Sequence, residues 1–343
     1  MKRILLLLVV VLLFSCSRKT DVPQREVNLY VWSNYIPDRV LKDFERDTGI
    51  HLNFDTFESN EALLDKLQSG LAEYDVIVPS DYMVGILRRQ NLLQELDRAR
   101  IPNLRNIGAR FLNPPYDPEN RYSVPFLWAT TGIGYNTKKV SGTIDSWGVL
   151  WDPKYAGRLL MLDDMRECFA VALKWKGHSL NSTNPAELQE ARDLLMRQKP
   201  LLKAYDSSNF DGILLAGDVW ITHGWSGNIA LVTLQNPDLA YVVPKEGGPL
   251  AIENFAIPRA ARHKDEAYVL INYMLDAKAG ADITNLSKYP NTNEAAKAFI
   301  KPEILNNPVI YPDRATLERC ELIEDIGPTF AVIDRYWTEI KSQ

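Results

Sequence analysis

From residue 27 onward, short apolar runs alternate with amphipathic ones, and this alternation constrains the fold more than any other feature. "VNLYVW" (27–32) reads as a strand and "PDRVLKDFERDTG" (37–49) as a helix, with Pro37 suited to its first turn and Gly49 past its end. "HLNFDTF" (51–57) is a second strand and "NEALLDKLQSG" (60–70) a helix that stops at Gly70. "YDVIVPS" (74–80) is a third strand, apolar nearly throughout, as expected when both faces of a sheet are covered. Strands separated by helices cannot pair as tight hairpins, so the pattern predicts an α/β fold with a largely parallel sheet. In such sheets ligands bind beyond the carboxyl ends of the strands. Trp32-Ser33-Asn34-Tyr35 and Ser80-Asp81-Tyr82 both stand at such ends. One set alone reads equally well as a packed corner; two aromatic-plus-polar sets favour a pocket.

A proline-rich loop (112–120) leads into another strand run, "YSVPFLWATTGIGYN" (122–136). A second series follows, with helices at 167–177 and 187–199 and strands at 218–224 and 239–244. "ENFAIP" (253–258) is a further strand, after which "KDEAYVLINYMLDAKAG" (264–280) and later segments read as mostly helical. Two α/β blocks with late segments returning imply two lobes joined by more than one crossing.

Residues before the first strand read as a targeting segment. Lys2 and Arg3 precede an apolar run from Ile4 to Phe14, too short to span a bilayer. Leu13-Phe14-Ser15-Cys16 follows a lipobox pattern, so residues 1–15 are expected to be a signal peptide, Cys16 a lipidation site, and 16–25 a polar tether to the membrane. The whole chain carries 39 basic and 44 acidic side chains, and cleavage would remove two of the basic ones, Lys2 and Arg3. An acidic balance without a basic cluster argues against nucleic acid as a partner. Cys168 and Cys320 read as buried free thiols.

Several motifs invite an enzymatic reading and fall short. "THGWSGN" (222–228) places Ser226 two residues after Gly224, but Asn228 stands where a nucleophile elbow needs its second glycine. "TGIGYNT" has Thr137 in place of the third glycine of a dinucleotide fingerprint. The four histidines form no metal spacing, and no cofactor or metal is expected. A hydrolase or transferase would have to use Cys168 or Ser226 with His223. "LDDMRECFAVAL" carries Asp164 and Glu167, which form a capping box on a helix, receive a cation, or do both. Trp32, Tyr35, Tyr82, Trp225 and Tyr289 supply aromatic walls, while Asp164, Glu167 and Glu253 supply charge. Aromatic faces attract cations and carboxylates pair ammonium groups, a chemistry suited to amines spaced along methylenes.

The chain resembles the spermidine/putrescine-binding proteins of bacterial ABC importers from about residue 27 to its end, most specifically in "SNEALLDKL", "YDVIVPS", "SWGVLWDPKYAGRLLMLDDMRE", "PKEGG" and "YPNTN". The resemblance implies a type II periplasmic-binding fold: two α/β lobes with mixed, mostly parallel sheets joined by two main crossing strands. It implies a lobe of residues 26–130 plus 253–297 and another of 131–252 plus 298–343, closing over putrescine and/or spermidine. By the same likeness Trp32, Ser33, Tyr35, Ser80, Tyr82, Asp164, Glu167, Trp225, Glu253 and Tyr289 fall on ligand-contact positions. Asn34 and Asp81 stand beside them; Asp81 serves equally well as a helix cap. Glu253 replaces the usual aspartate, Asn34 an acid, Ala251 an aromatic and Ile323 a glutamine. The implied partners are a permease in the cytoplasmic membrane and, through Cys16, the membrane itself, for a monomer of the periplasm or cell envelope. Another cationic, amino-containing solute is the alternative ligand.

Overall fold

The computed structural model describes residues 25–70 and 73–342; the expected signal peptide and Cys16 lie outside the described residues. The first strand, β1 (Glu26–Trp32), is followed by β2 (His51–Phe57) and the short β3 (Val76–Ile77). β1 pairs parallel with both, as the strand–helix alternation requires. The helix Asp38–Thr48 between the first two ends at Gly49, whose φ of 68° puts it in the left-handed region that favours glycine. Its Val40, Leu41 and Phe44 are buried, and full burial of such side chains contributes about 1.5–3 kcal/mol each. The regular part of the third strand is shorter than its apolar sequence suggests, although the Val78 amide still donates to the Tyr30 carbonyl and Ser80 bridges Glu253 before the helix Asp81–Arg89 begins.

The long strand β4 (Ser123–Asn136) organises the molecule. Beyond it come β5 (Leu159–Met161), β6 (Leu202–Tyr205), β7 (Ile221–Trp225), β8 (Leu239–Val242), β9 (Pro249–Ala256) and β10 (Glu321–Leu322). The sheet order is β2-β1-β3-β9-β4-β7-β5-β6, with β8 also on β4 and β10 on β9. Residues Ser123–Thr130 of β4 run antiparallel to β9; from Thr131 onward the same strand runs antiparallel to β7 and β8. β5 is parallel to β6 and β7. The result is a mixed α/β architecture whose sheet is shared between two cores through β4. One apolar core gathers Val27, Leu29, Val76, Phe126 and Leu127 with Phe255 and Ile271. The other gathers Ile133, Trp147, Leu159, Phe169 and Leu195 with Ile333 and Ile340 of the C-terminal helix Phe330–Ser342.

Two expectations change in detail. β9 begins at Pro249, ahead of the segment read as a strand, so Ala251 and Ile252 belong to the crossing. The 264–280 run is two helices, Lys264–Met274 and Ala277–Ser287, because Asp276 accepts hydrogen bonds from the amides of Lys278 and Ala279 and starts a new helix. Gly132, one of the glycines in "TGIG", lies mid-strand, where a Cβ would come within 2.4 Å of the Val242 carbonyl oxygen. That glycine serves close strand packing.

Candidate functional site

The carboxyl ends of β1, β3, β5 and β7 converge. β1 delivers Trp32 and Tyr35, β3 leads to Ser80, Asp81 and Tyr82, β5 leads to Asp164, and β7 ends on Trp225. Glu253 comes from within β9, opposite Ser80. Together with Asn60, Ala129, Glu167, Ala251 and Ile323 these side chains line a narrow cavity of about 20 Å³. A second cavity of about 20 Å³ is lined by Trp32, Tyr35 and Trp225 as well, with Ser33, Glu58, Ser207, Ser208, Asn228 and Tyr289. The Trp32 and Trp225 rings meet edge to face at 5.9 Å between the two, and Tyr35 packs on Tyr289 at 4.6 Å.

Of the residues singled out in the sequence, Asn34 is the one placed apart. It is exposed, has a φ of 65°, and lines neither cavity; Ser33 beside it reaches only the second. Asp81 is buried at the start of its helix, where its carboxylate accepts from the Tyr82 amide at 2.7 Å and the Ile252 amide at 3.3 Å. It therefore ties β9 to the helix while lining the cavity. Asp164 is the N-cap of the helix Met165–Trp175 and accepts from the Glu167 amide at 3.0 Å. Glu167 does not complete the capping box; its Oε1 accepts from Thr131 Oγ1 at 2.9 Å and Trp225 Nε1 at 3.0 Å. Capping and cavity lining thus coexist in one motif.

Among the acids lining the first cavity, Glu253 is the most heavily coordinated. Trp32 Nε1 donates to it at 2.9 Å, Tyr35 OH at 3.4 Å, and Ser80 Oγ lies 3.0 Å from both of its oxygens. Asn60 holds Ser80 in turn through Oγ and the backbone amide. Sequence reasoning missed Asn60, Glu61, Arg166 and Asn228. The Glu61 carboxylate accepts from Tyr82 OH at 3.1 Å, and Asn228 Oδ1 accepts from Tyr289 OH. Arg166 is buried beside the acids, its guanidinium 5.5 Å from the Tyr82 ring centre, donating to the Glu324 carbonyl and Asn181 Oδ1. Its place next to "DD" in a helix start gave no sign of this inward course.

Burial governs the protonation of these acids. Asp81, Asp164 and Glu253 are each pushed up to about 8, first by loss of water and then by neighbouring carboxylates. Glu61 is raised by the same loss of water. Such groups hold protons in the folded state that the unfolded chain has already lost between about pH 4 and 8. Stability is therefore largest at the acidic end of that window and falls as pH rises through it. The unfolding midpoint of the unliganded protein is expected to drop between pH 5 and 8. A variant combining Asp81→Asn, Asp164→Asn and Glu253→Gln should lose most of that slope; an identical slope in both proteins would exclude these acids as its cause.

The nucleophile–base sets do not assemble. Ser226 Oγ accepts from the Thr130 amide at 3.4 Å, and the Cys168 thiol donates to the Leu162 carbonyl at 3.2 Å. Cys168 is buried and Cys320 half-buried, both unpaired.

A family model described as bacterial extracellular solute-binding protein matches residues 39–310. The chain is similar to the spermidine/putrescine-binding periplasmic protein of Salmonella typhimurium, with 35% identity over 315 residues, 91% of this chain and 90% of that one. It is equally similar to the putrescine/cadaverine-binding protein of Pseudomonas aeruginosa, with 35% identity over 350 residues and 98% of each chain. The crystal structure of the TpPotD lipoprotein of Treponema pallidum superposes with a TM-score of 0.83 at 29% identity, over 93% of this chain and 100% of that one. Shared sequence across nearly the whole length, the same architecture, and acids gathered between two cores agree: the chain belongs to the bacterial extracellular solute-binding proteins, which bind and hand over solutes and are not enzymes.

Proposed function

We propose that this protein is the polyamine receptor of an ABC importer, taking putrescine and/or spermidine and delivering it to a permease in the cytoplasmic membrane. The observation that carries the reading is the cavity in which Asp81, Asp164, Glu167 and Glu253 stand among Trp32, Tyr35, Tyr82 and Trp225. Arg166 is the one buried guanidinium among the described residues beside them, so the site is short of positive charge. Ammonium groups supply it through charge-assisted hydrogen bonds, and the rings cover the methylenes between. The names of the Salmonella and Pseudomonas relatives point to the same solutes. The cavities are too narrow to admit a diamine without movement. Two lobes, 26–130 plus 253–297 and 131–252 plus 298–343, therefore part and close about β4 and β9, and the ligand favours the closed form because only there do both lobes touch it. A monomer tethered by lipid on Cys16 at the envelope membrane completes the reading. Calorimetric titration with diamines, triamines, amino acids and sugars tests it; saturable binding confined to amino acids or sugars would overturn it.

Ligand length follows from the lining. Ala129, Ala251 and Ile323 make part of the first cavity apolar. A triamine needs one more acceptor than a diamine, so these residues disfavour spermidine more than putrescine. Putrescine is expected to bind within about tenfold of spermidine, or about 1.4 kcal/mol. Competition calorimetry at a single ionic strength checks this, because screening weakens the trivalent ligand more. A hundredfold preference for spermidine would refute it.

A further inference from the structure

His223 lies on β7 with no exposed surface, its ring edge-on to Trp147 at 5.7 Å and 84°. The Leu162 amide points at its Nδ1 from 3.5 Å, which leaves the ring proton on Nε2. Nε2 faces Glu167 Oε2 across 3.6 Å. Both atoms are buried, and neither has a hydrogen-bond partner among the described residues. A buried donor and a buried acceptor left unmade are each costly, and here the two face one another. Ordinary N–H···O bonds are about 3.0 Å long, so a shift of about 0.6 Å, within reach of a turn of the carboxylate, completes this one.

We propose that His223 is a positioning residue for ligand recognition, holding Oε2 of Glu167 while Thr131 and Trp225 hold Oε1. This rests on the reading of Glu167 as a ligand carboxylate. Three neutral donors fix and solvate the acid without cancelling its charge, which stays available to an entering ammonium. A lysine or arginine in the same place would neutralise it. "THGW" thus carries two parts of one device: Trp225 presents the Oε1 donor at the cavity wall, and His223, two residues earlier on the same face of the strand, supports the acid from below.

The experiment is putrescine titration of the full chain and of His223→Leu, His223→Gln, Glu167→Gln and the double variant His223→Leu/Glu167→Gln, together with the ¹⁵N spectrum of His223. His223→Leu should weaken binding about tenfold, the worth of one hydrogen bond to a charged group. His223→Gln, whose amide reaches the Nε2 position, should restore affinity to within about threefold. The double variant should bind no more weakly than Glu167→Gln alone. The ¹⁵N spectrum should show a neutral ring protonated at Nε2, shifted by Glu167→Gln. Losses that multiply in the double variant, or unchanged binding by His223→Leu, would overturn the proposal. Should His223→Leu fail to fold, His223→Asn, which reaches only the Nδ1 position, must show the same loss. Unchanged binding by Glu167→Gln would instead remove Glu167 from the ligand. The His223 resonances would then still decide the contact: sensitivity to Glu167→Gln supports it, and indifference overturns it.

Discussion

Glu253→Gln is expected to weaken putrescine binding by about 1.5–3 kcal/mol, the scale of a hydrogen bond to a charged group. Glu253 is the acid on which Trp32, Tyr35 and Ser80 converge, and its burial makes the ionised form expensive unless a cation arrives. Glutamine keeps the shape and one acceptor but removes the charge. The unliganded variant should therefore be no less stable than the parent above pH 7, even as it loses affinity. Opposite movement of binding and stability separates a ligand carboxylate from a structural one. Calorimetry and thermal unfolding on the same samples provide both readings, and an unchanged titration curve would take Glu253 out of the site.

The second large effect belongs to Trp225→Ala, expected to cost on the order of 2–3 kcal/mol of binding through lost cation–π and methylene contact. Trp225 stands between the two cavities, edge-on to Trp32 at 5.9 Å and Phe210 at 5.6 Å, and its indole N–H donates to Glu167. Alanine would merge the cavities and release Oε1 of Glu167 at once. The half-buried position limits the cost to the unliganded fold. Fluorescence of a variant keeping Trp225 as its single tryptophan should respond to saturating putrescine; an indifferent signal would place the ring outside the site.

The first β-α-β-α stretch was legible because it obeys local rules: Val40, Leu41 and Phe44 mark one helix face, and Gly49 and Gly70 mark two ends. β5 was not, because three residues, Leu159–Met161, are too few to display a period. Trp32, Tyr35, Ser80, Tyr82 and Trp225 were visible as polar and aromatic residues at strand ends and Asp164, Glu167 and Glu253 as candidate acids, and the fold brings them together around one cavity. Glu61 and Arg166 were hidden for a physical reason. Each sits in the first turn of a helix, where a charged side chain already has a local explanation, and only tertiary packing turns it inward. Asn34 erred the other way: its place in "WSNY" suggested a lining residue, but a left-handed turn points that part of the loop to solvent.

β9 fills the place between β3 and β4, yet it is translated long after both. A nascent or truncated chain that stops before residue 249 has a first sheet with a missing middle strand: Ile77 lacks Ala256, Ser80 lacks Glu253, and β4 lacks the partner that runs from Ser123 to Thr130. Unpaired edges of this kind are templates for wrong pairing. The first sheet and the binding site are therefore both incomplete until β9 has been made. For a chain read as bound for export, that ordering works as a delay. The growing polypeptide lacks the middle strand of its first sheet until residue 256 has been made, and that gap works against a finished first lobe during threading across a membrane.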